Sequence, residues 1–251
     1  MHQAAELGFS IEAATYTTGR PDYPEALKAW LATVLDIGRA STVIDLGAGT
    51  GKLTRLIDPA AQVTAVEPVA AMRAEFAKQL PGIRVLEGKA EAIPFDSSAA
   101  DALVCGQAFH WFANDAALRE IHRVLKPQGR LGLVWNVRDE AVEWVAEITQ
   151  IITPYEGDAP RLHTGQWQQP FDNGLFSEPE LSCFAYSHVG SPQAVIVDRF
   201  LSVSFIAALP TDEKCIVAER LRELISDHPA LRGREVVAFP YQTQAYAFQR
   251  L

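Results

Sequence analysis

Three glycines at alternate positions, Gly47, Gly49 and Gly51, stand behind a short apolar run in VIDLGAGTGKLT, residues 43–54. Glycine keeps no side chain between backbone amides and a ligand, so a bend of this kind can hold a small molecule closely. Two familiar phosphate loops can be tested by counting. The dinucleotide pattern G-x-G-x-x-G requires glycine at position 52, where Lys52 stands. The pattern G-x-x-x-x-G-K-[ST] requires glycine at 46 and Ser or Thr at 53, and Leu46 and Leu53 occupy those places. Both templates fail.

The charges point the same way. Asp45 sits at the mouth of the bend, where it would repel a phosphate arriving at a helix N-terminus. A carboxylate there suits a ligand that offers hydroxyls or a cationic amine. Glu67 closes the next apolar run, QVTAVE, and an acid at such a strand tip can accept two hydrogen bonds from a ribose diol. Together these features describe a nucleoside with an amino-acid tail and no phosphate, S-adenosylmethionine. The plainer alternative is a bend that only turns the chain, which would leave the paired acids unexplained.

These residues need a frame. Residues 42–136 alternate β-branched runs (TVIDLG, QVTAVE, IRVLEG, DALVCG, RLGLVWN) with the helical patterns MRAEFAKQL and NDAALREIHRVLK. In the second pattern Leu118, Ile121 and Leu125 recur at helical spacing, Asn114 is placed to cap it, and KPQG to stop it. Strands separated by helices at this rhythm imply βαβ units and a parallel sheet covered on both faces. Ahead of them, TGRPDYPEALKAWLATVL predicts a turn and then a helix with Pro24 near its first turn. Beyond 137, a helix near 140–152 leads into TPYEGDAPRLHTGQWQQPFDNGLFSEPE, a long irregular stretch whose Trp167, Phe171 and Phe176 suggest an ordered lid. A strand at 181–189, an apolar helix near 192–209, an amphipathic helix capped by Thr211 and one or two final strands complete the chain.

Five stretches, VIDLGAGTGKLT, VTAVEPVAAM, EGKAEAIPF, DALVCGQAFHWF and LREIHRVLKPQGRLGLVWN, resemble the class I S-adenosylmethionine-dependent methyltransferases in order and spacing. The opening Tyr16, Arg20, Pro21, Tyr23, Pro24 and the HWF tripeptide are similar to the small-molecule branch of trans-aconitate methyltransferases. The resemblance implies a Rossmann-like α/β fold: a mostly parallel sheet flanked by helices, a helical cap in the C-terminal half and an antiparallel last strand. The expected division is a lid segment and cofactor core over 1–138, a cap over 139–233 and a strand over 234–251 that returns to the sheet edge. The resemblance also implies roles. Gly47, Gly49 and Gly51 would pass under the methionyl part of the cofactor, with Asp45 near its amino group. Glu67 would hold the ribose, Met72 would pack on adenine, and Ala90 and Glu91 would meet the adenine edge. One departure is Lys89, where many relatives carry an aspartate that accepts from the adenine amino group. Gln107 ends the fourth strand run, at the sheet edge where such folds bind ligands.

A sulfonium already activates its methyl group, so the protein mainly aligns a nucleophile, and whether it needs a base depends on the acceptor. His110, just past the fourth run, either positions the acceptor, acts as a base, or simply orders its loop. Trp111 is a candidate pocket wall. Tyr16 and Arg20 belong to a segment that in this family folds over the cofactor, and Arg20 has the forked geometry for a carboxylate. Asn136 and Arg138 end the fifth run, where Arg138 suits an anionic acceptor or pairs with Asp139 or Glu140. His122, His163 and His188 are isolated, and no metal is expected.

Bulk properties agree. The 251 residues are 48% apolar and 21% charged with a net charge of −9, which disfavours nucleic acid and anionic membrane as partners. Cys105, Cys183 and Cys215 form no CxxC and are odd in number, as in a reducing compartment. No basic head precedes an apolar stretch near the start, and the run AVIVDRFLSVSFIAAL is interrupted by Asp198 and Arg199. The expectation is a soluble, cytoplasmic enzyme that methylates oxygen or nitrogen of a small carboxylic acid or heterocycle, with its oligomeric state open. The rival readings are a non-catalytic S-adenosylmethionine-binding regulator and a nicotinamide-dependent oxidoreductase.

Overall fold

The computed structural model describes residues 20–158 and 160–251. In chain order the main elements are α1 (Ala26–Thr33), β1 (Thr42–Leu46), β2 (Gln62–Val66), α2 (Ala70–Gln79), β3 (Arg84–Leu86), β4 (Ala100–Gly106), α3 (Asp115–Val124), β5 (Leu125–Arg138), α4 (Glu143–Ile152), β6 (Glu180–Gly190), α5 (Thr211–Asp227) and β7 (Val237–Gln249). The strands form one sheet in the order β3-β2-β1-β4-β5-β7-β6. β1 pairs in parallel with β2 and β4, β2 with β3, and β4 with β5. β7 runs antiparallel between β5 and β6. This is the Rossmann-like sheet with an antiparallel last strand that the sequence predicts, except that β7 lies inside the sheet and β6, not the last strand, forms its edge.

β1 shows why the sheet centre can carry chemistry. Val43, Ile44, Asp45 and Leu46 are all buried, as residues of a strand covered on both faces must be. Asp45 is the exception in polarity, and a carboxylate in that position needs a reason. Opposite it, the register Asp45↔Ala65 and Leu46↔Val66 brings Glu67 to the neighbouring strand end.

The chain divides into two compact units. One holds Tyr23–Trp135, Pro160–Phe184 and Thr243–Leu251; the other holds the described residues of Met1–Asp22, Asn136–Ala159 and Ala185–Gln242. In the first, α1 buries Leu27, Trp30 and Leu31, and α3 buries Ala117, Leu118, Ile121 and Val124. Each fully buried aliphatic side chain of this kind contributes about 1.5–3 kcal/mol. Asn114 caps α3 as its sequence predicts, its Oδ1 accepting from Ala117 N at 2.9 Å. Asp115 in the first turn and Arg123 in the last complement the helix dipole. In the second unit, Trp144, Val145 and Ile148 of α4 share a core with Val217 and Leu221 of α5 and with Phe239 and Tyr241 of β7.

Four local expectations change. KPQG does not simply end a helix: β5 begins at Leu125, and the register jumps from Ala100↔Leu125 to Ala102↔Arg130. The residues between bulge out, with Gln128 at φ 63°, so the turn is a bulge inside the strand. The apolar helix near 192–209 is broken into a π turn, Gln193–Asp198, and helical turns Arg199–Leu201 and Ser204–Ala207. Ser202 Oγ donates to Arg199 O at 2.7 Å and Val203 is extended, which interrupts the ladder. Thr211 is the first residue of α5 and not its cap, a place taken by Pro210. The aromatics of the long irregular stretch, expected on a lid, belong to the first unit. Trp167 and Phe171 lie on a 3-10 helix, Gln166–Asn173, in the unit that carries β1–β4, with Phe171 stacked on Phe248 at 4.3 Å.

Replacing the cap, Asn114→Ala, is expected to cost about 1 kcal/mol of stability. Chemical denaturation measures it, and an unmoved midpoint would remove the cap from the account of α3.

Candidate active site

The glycine bend leaves β1 with Gly47 N donating to Val66 O at 2.8 Å, and Gly47, Gly49 and Gly51 hold φ of 69°, 56° and 85°. All three therefore need the left-handed region that glycine occupies without penalty. Their spatial demands differ. A Cβ on Gly47 would lie 2.7 Å from Ala108 Cβ, and one on Gly51 would lie 2.5 Å from Leu80 Cδ1 and 2.9 Å from Phe76 Cε2. Those two glycines are required by packing. A Cβ on Gly49 would meet nothing within 4 Å, so this glycine alone of the three faces open space. No α-helix starts behind the bend; a single 3-10 turn, Thr54–Leu56, follows it. The converging N–H groups of an α-helix N-terminus, which hold a phosphate in dinucleotide and nucleotide folds, are not offered here.

Asp45 is fully buried. Its Oδ2 accepts from Thr54 Oγ1 at 2.5 Å, while its Oδ1 has no hydrogen-bond partner. Burial pushes its pKa from 3.8 to about 7, against the pull of the Thr54 hydrogen bond and with a further push from the Glu67 charge. Glu67 is also buried, with Oε2 accepting from Gly49 N at 3.0 Å and Oε1 from Val69 N at 2.9 Å. Burial raises its pKa too, opposed by those two backbone donors and by Arg73. Cys105 on β4 is buried beside them, its thiol pushed up by burial and by the Asp45 charge, so it is an inert packing group. Two carboxylates placed where water cannot neutralise them, one with an orphaned oxygen, form a site that a cation would stabilise.

The remaining predicted cofactor contacts lie in the same unit. Met72 on α2 and Ala90 are buried. Glu91 is exposed and accepts from Asn114 Nδ2 at 3.2 Å, and Lys89 is exposed with its backbone bridging Ala92. Gln107, at the end of β4, adopts φ 56° and donates its N–H to Val134 O at 2.8 Å. A non-glycine residue in that region is strained, and such strain gathers at ligand sites.

His110 sits on a 3-10 turn, Phe109–Trp111, and its Nδ1 accepts from Trp135 Nε1 at 3.1 Å. The imidazole lies 4.9 Å from the Trp111 ring, and the Arg161 guanidinium stands 6.0 Å from Trp111 on its other contact. Tyr16 falls outside the described residues. Arg20, Asn136 and Arg138 belong to the other unit. There Arg20 Nη2 donates to Ser202 O at 2.8 Å, and Asn136 Nδ2 donates to Asp22 O at 2.8 Å. Arg138 lies 5.7 Å from the Phe200 ring and 3.8 Å from Glu140.

Sequence reasoning missed Arg199. It is 7% exposed, lies 5.4 Å from the Phe200 ring and donates from Nε to Tyr241 Oη at 3.3 Å. Among the described residues its Nη1 is buried without a hydrogen-bond partner and no carboxylate pairs with it. The available signal was its interruption of the run AVIVDRFLSVSFIAAL, which on a soluble chain marks a charge inside a core.

Comparison with known proteins agrees with this geometry. The profile described as "Methyltransferase domain" matches residues 44–133. An uncharacterized methyltransferase of Mycobacterium tuberculosis is 38% identical over 238 residues, 94% of this chain and 93% of that one. An uncharacterized methyltransferase-like protein of Schizosaccharomyces pombe is 34% identical over 244 residues, 96% and 95% of the two chains. The chain belongs to the S-adenosylmethionine-dependent class I methyltransferases. Solved structures share its fold. The YcgJ protein of Bacillus subtilis has a TM-score of 0.56 at 20% identity over 90% of this chain and 99% of that one. A geranyl diphosphate methyltransferase in complex with S-adenosylmethionine has 0.51 at 14% identity, over 90% and 85%. The orphaned Asp45 oxygen, the Glu67 carboxylate on the Gly49 amide and the open face of Gly49 fit this cationic cofactor.

Two outcomes follow. Between its ordinary range and about 7, Asp45 holds a proton in the folded chain that it lacks in the unfolded one. Stability of the ligand-free protein therefore falls as pH rises through that window, and Asp45→Asn reduces the fall in thermal melts, leaving the part that the raised Glu67 contributes. A cationic ligand favours the ionised carboxylate, so S-adenosylmethionine affinity should weaken below pH about 7, approaching about tenfold per pH unit. Calorimetry at several pH values tests this, and flat affinity would separate Asp45 from the ligand. Separately, Gly49→Val should abolish binding while costing the fold about 1–2 kcal/mol for its positive φ; unchanged affinity would remove Gly49 from the cradle.

Proposed function

We propose that the protein transfers a methyl group from S-adenosylmethionine to an oxygen of a small anionic acceptor, a carboxylate before any other. The observation that carries this reading is Arg199. A buried guanidinium with an orphaned Nη1 and no carboxylate partner among the described residues is costly unless an anion completes it. Two more arginines of the same unit stand on the same segment: Arg138 against the Phe200 ring and Arg20 on the Ser202 carbonyl. Guanidinium groups match carboxylates in a planar fork. The net charge of −9 and the local grouping of these cations suit a small anion better than a nucleic acid backbone.

When bound, S-adenosylmethionine supplies a methyl group already activated by its sulfonium. The chain's own residues bind and orient. Asp45 would stand against the cofactor's cationic amino group, Glu67 would accept from its ribose hydroxyls, and the bend at Gly49 would give it room. Met72, Ala90 and Glu91 would take the adenine, with Gln107 at the strand end beside them. Lys89, exposed and lacking an acceptor, would leave the adenine amino group to other partners. His110 would face the acceptor with Trp111 as an apolar wall; in the other unit Arg20, Asn136 and Arg138 would serve anionic groups, and Tyr16 would be a further acceptor or cofactor contact.

The test is turnover over a panel of small carboxylic acids paired with their neutral amides and with amines. Carboxylates should be methylated and their amides should not; turnover of amines alone would sink the reading. Arg199→Met should raise KM for a carboxylate by about tenfold or more, the value of a charge-assisted hydrogen bond. The same variant should leave the ligand-free fold as stable as the wild type or more so, because it removes an unpaired buried charge.

A further inference from the structure

We infer that Trp135 is a positioning residue that fixes the tautomer of His110 with Nδ1 unprotonated, so that this imidazole takes no proton from the acceptor. The inference deepens the proposed reading of His110 as an acceptor-side residue and rests on it. An indole N–H can only donate, so the nitrogen it meets must present a lone pair. Trp135 Nε1 donates to His110 Nδ1 at 3.1 Å. In the neutral ring the proton therefore sits on Nε2, and the one basic lone pair is already engaged.

For His110 to act as a base it would have to accept a proton at Nδ1, where two donors would then oppose each other. Trp135 has no room to withdraw. It is 2% exposed, and its ring lies 4.9 Å from Trp167 and 5.8 Å from Tyr246. The imidazole is held as well, on the 3-10 turn closed by Phe112 N donating to Phe109 O at 3.0 Å and against Trp111 at 4.9 Å. An acceptor that arrives as a carboxylate has no proton to lose, so it needs nothing that this state of His110 withholds. A phenol or an ammonium must lose a proton, and a histidine in this state does not take it.

Nitrogen-15 NMR of the full chain with labelled histidine reads the tautomer directly, with His110→Gln assigning the signal among the six histidines. The expected spectrum shows His110 with Nδ1 unprotonated and Nε2 protonated; a protonated Nδ1 overturns the inference. Trp135→Phe keeps a ring and removes the N–H. It should release the tautomer preference and lower kcat by about tenfold while leaving S-adenosylmethionine affinity unchanged. An unaltered tautomer in that variant overturns the role of Trp135. Should that variant fail to fold, the wild-type spectrum and His110→Gln still decide. Glutamine cannot serve as a base, so His110→Gln should keep measurable turnover of a carboxylate acceptor. Complete loss of turnover in His110→Gln with S-adenosylmethionine affinity kept would overturn the exclusion of a base. The NMR result does not depend on the acceptor, so a failed carboxylate panel and a failed tautomer assignment remain distinguishable.

Discussion

Two carboxylates buried at the ends of adjacent parallel strands impose the central constraint on this protein. Asp45 and Glu67 are both desolvated and burial raises both pKa values, with the Glu67 charge adding a further push on Asp45. Glu67 is offset by two backbone N–H groups, one of them from Gly49, so the acid also pins the glycine bend. Asp45 has one hydroxyl from Thr54 and nothing on Oδ1. The ligand-free state is thus incomplete in one specific respect. It lacks a positive charge and a donor at the head of β1, and the cofactor of this methyltransferase family carries both.

The bend itself separates two requirements that a string of glycines merges. Gly47 and Gly51 let the chain pack against Ala108 and against Phe76 and Leu80, and so hold the loop where it is. Gly49, supported on both sides by these contacts, has its face open. Rigid neighbours and a vacant centre are what a preorganised binding loop needs, because ordering is then complete before the ligand arrives.

The second unit repeats the same logic with opposite sign. Arg199 is a cation in an apolar core, partnered by a tyrosine hydroxyl and an aromatic face, neither of which neutralises it. The π turn and the broken helical turns around it follow from a segment of bulky apolar residues with Ser202 bonding back to Arg199 O. A regular helix over 192–209 would have suited the hydrophobicity of the segment. The hydroxyl and the extended Val203 prevent it, and local competition of this kind does not show in apolar periodicity.

Much of the fold was legible in residues 42–138 because parallel strands buried on both faces read as apolar runs, and a helix such as α3 announces itself by its cap and spacing. The cofactor class was legible for a related reason: Asp45, the glycines and Glu67 lie within one strand–loop–strand segment, where short-range spacing dictates position. Legibility ended where partners are distant in the chain. Whether Gly51 serves a ligand or Phe76, which aromatic Trp167 of the expected lid packs on, and which nitrogen of His110 carries the proton were all decided by tertiary contacts. Trp135 meets His110 across 25 residues, and Tyr241 meets Arg199 across 42. Burial turns those meetings into chemistry, because only a group shut away from water is forced to keep the partner, or the vacancy, that the fold assigns to it.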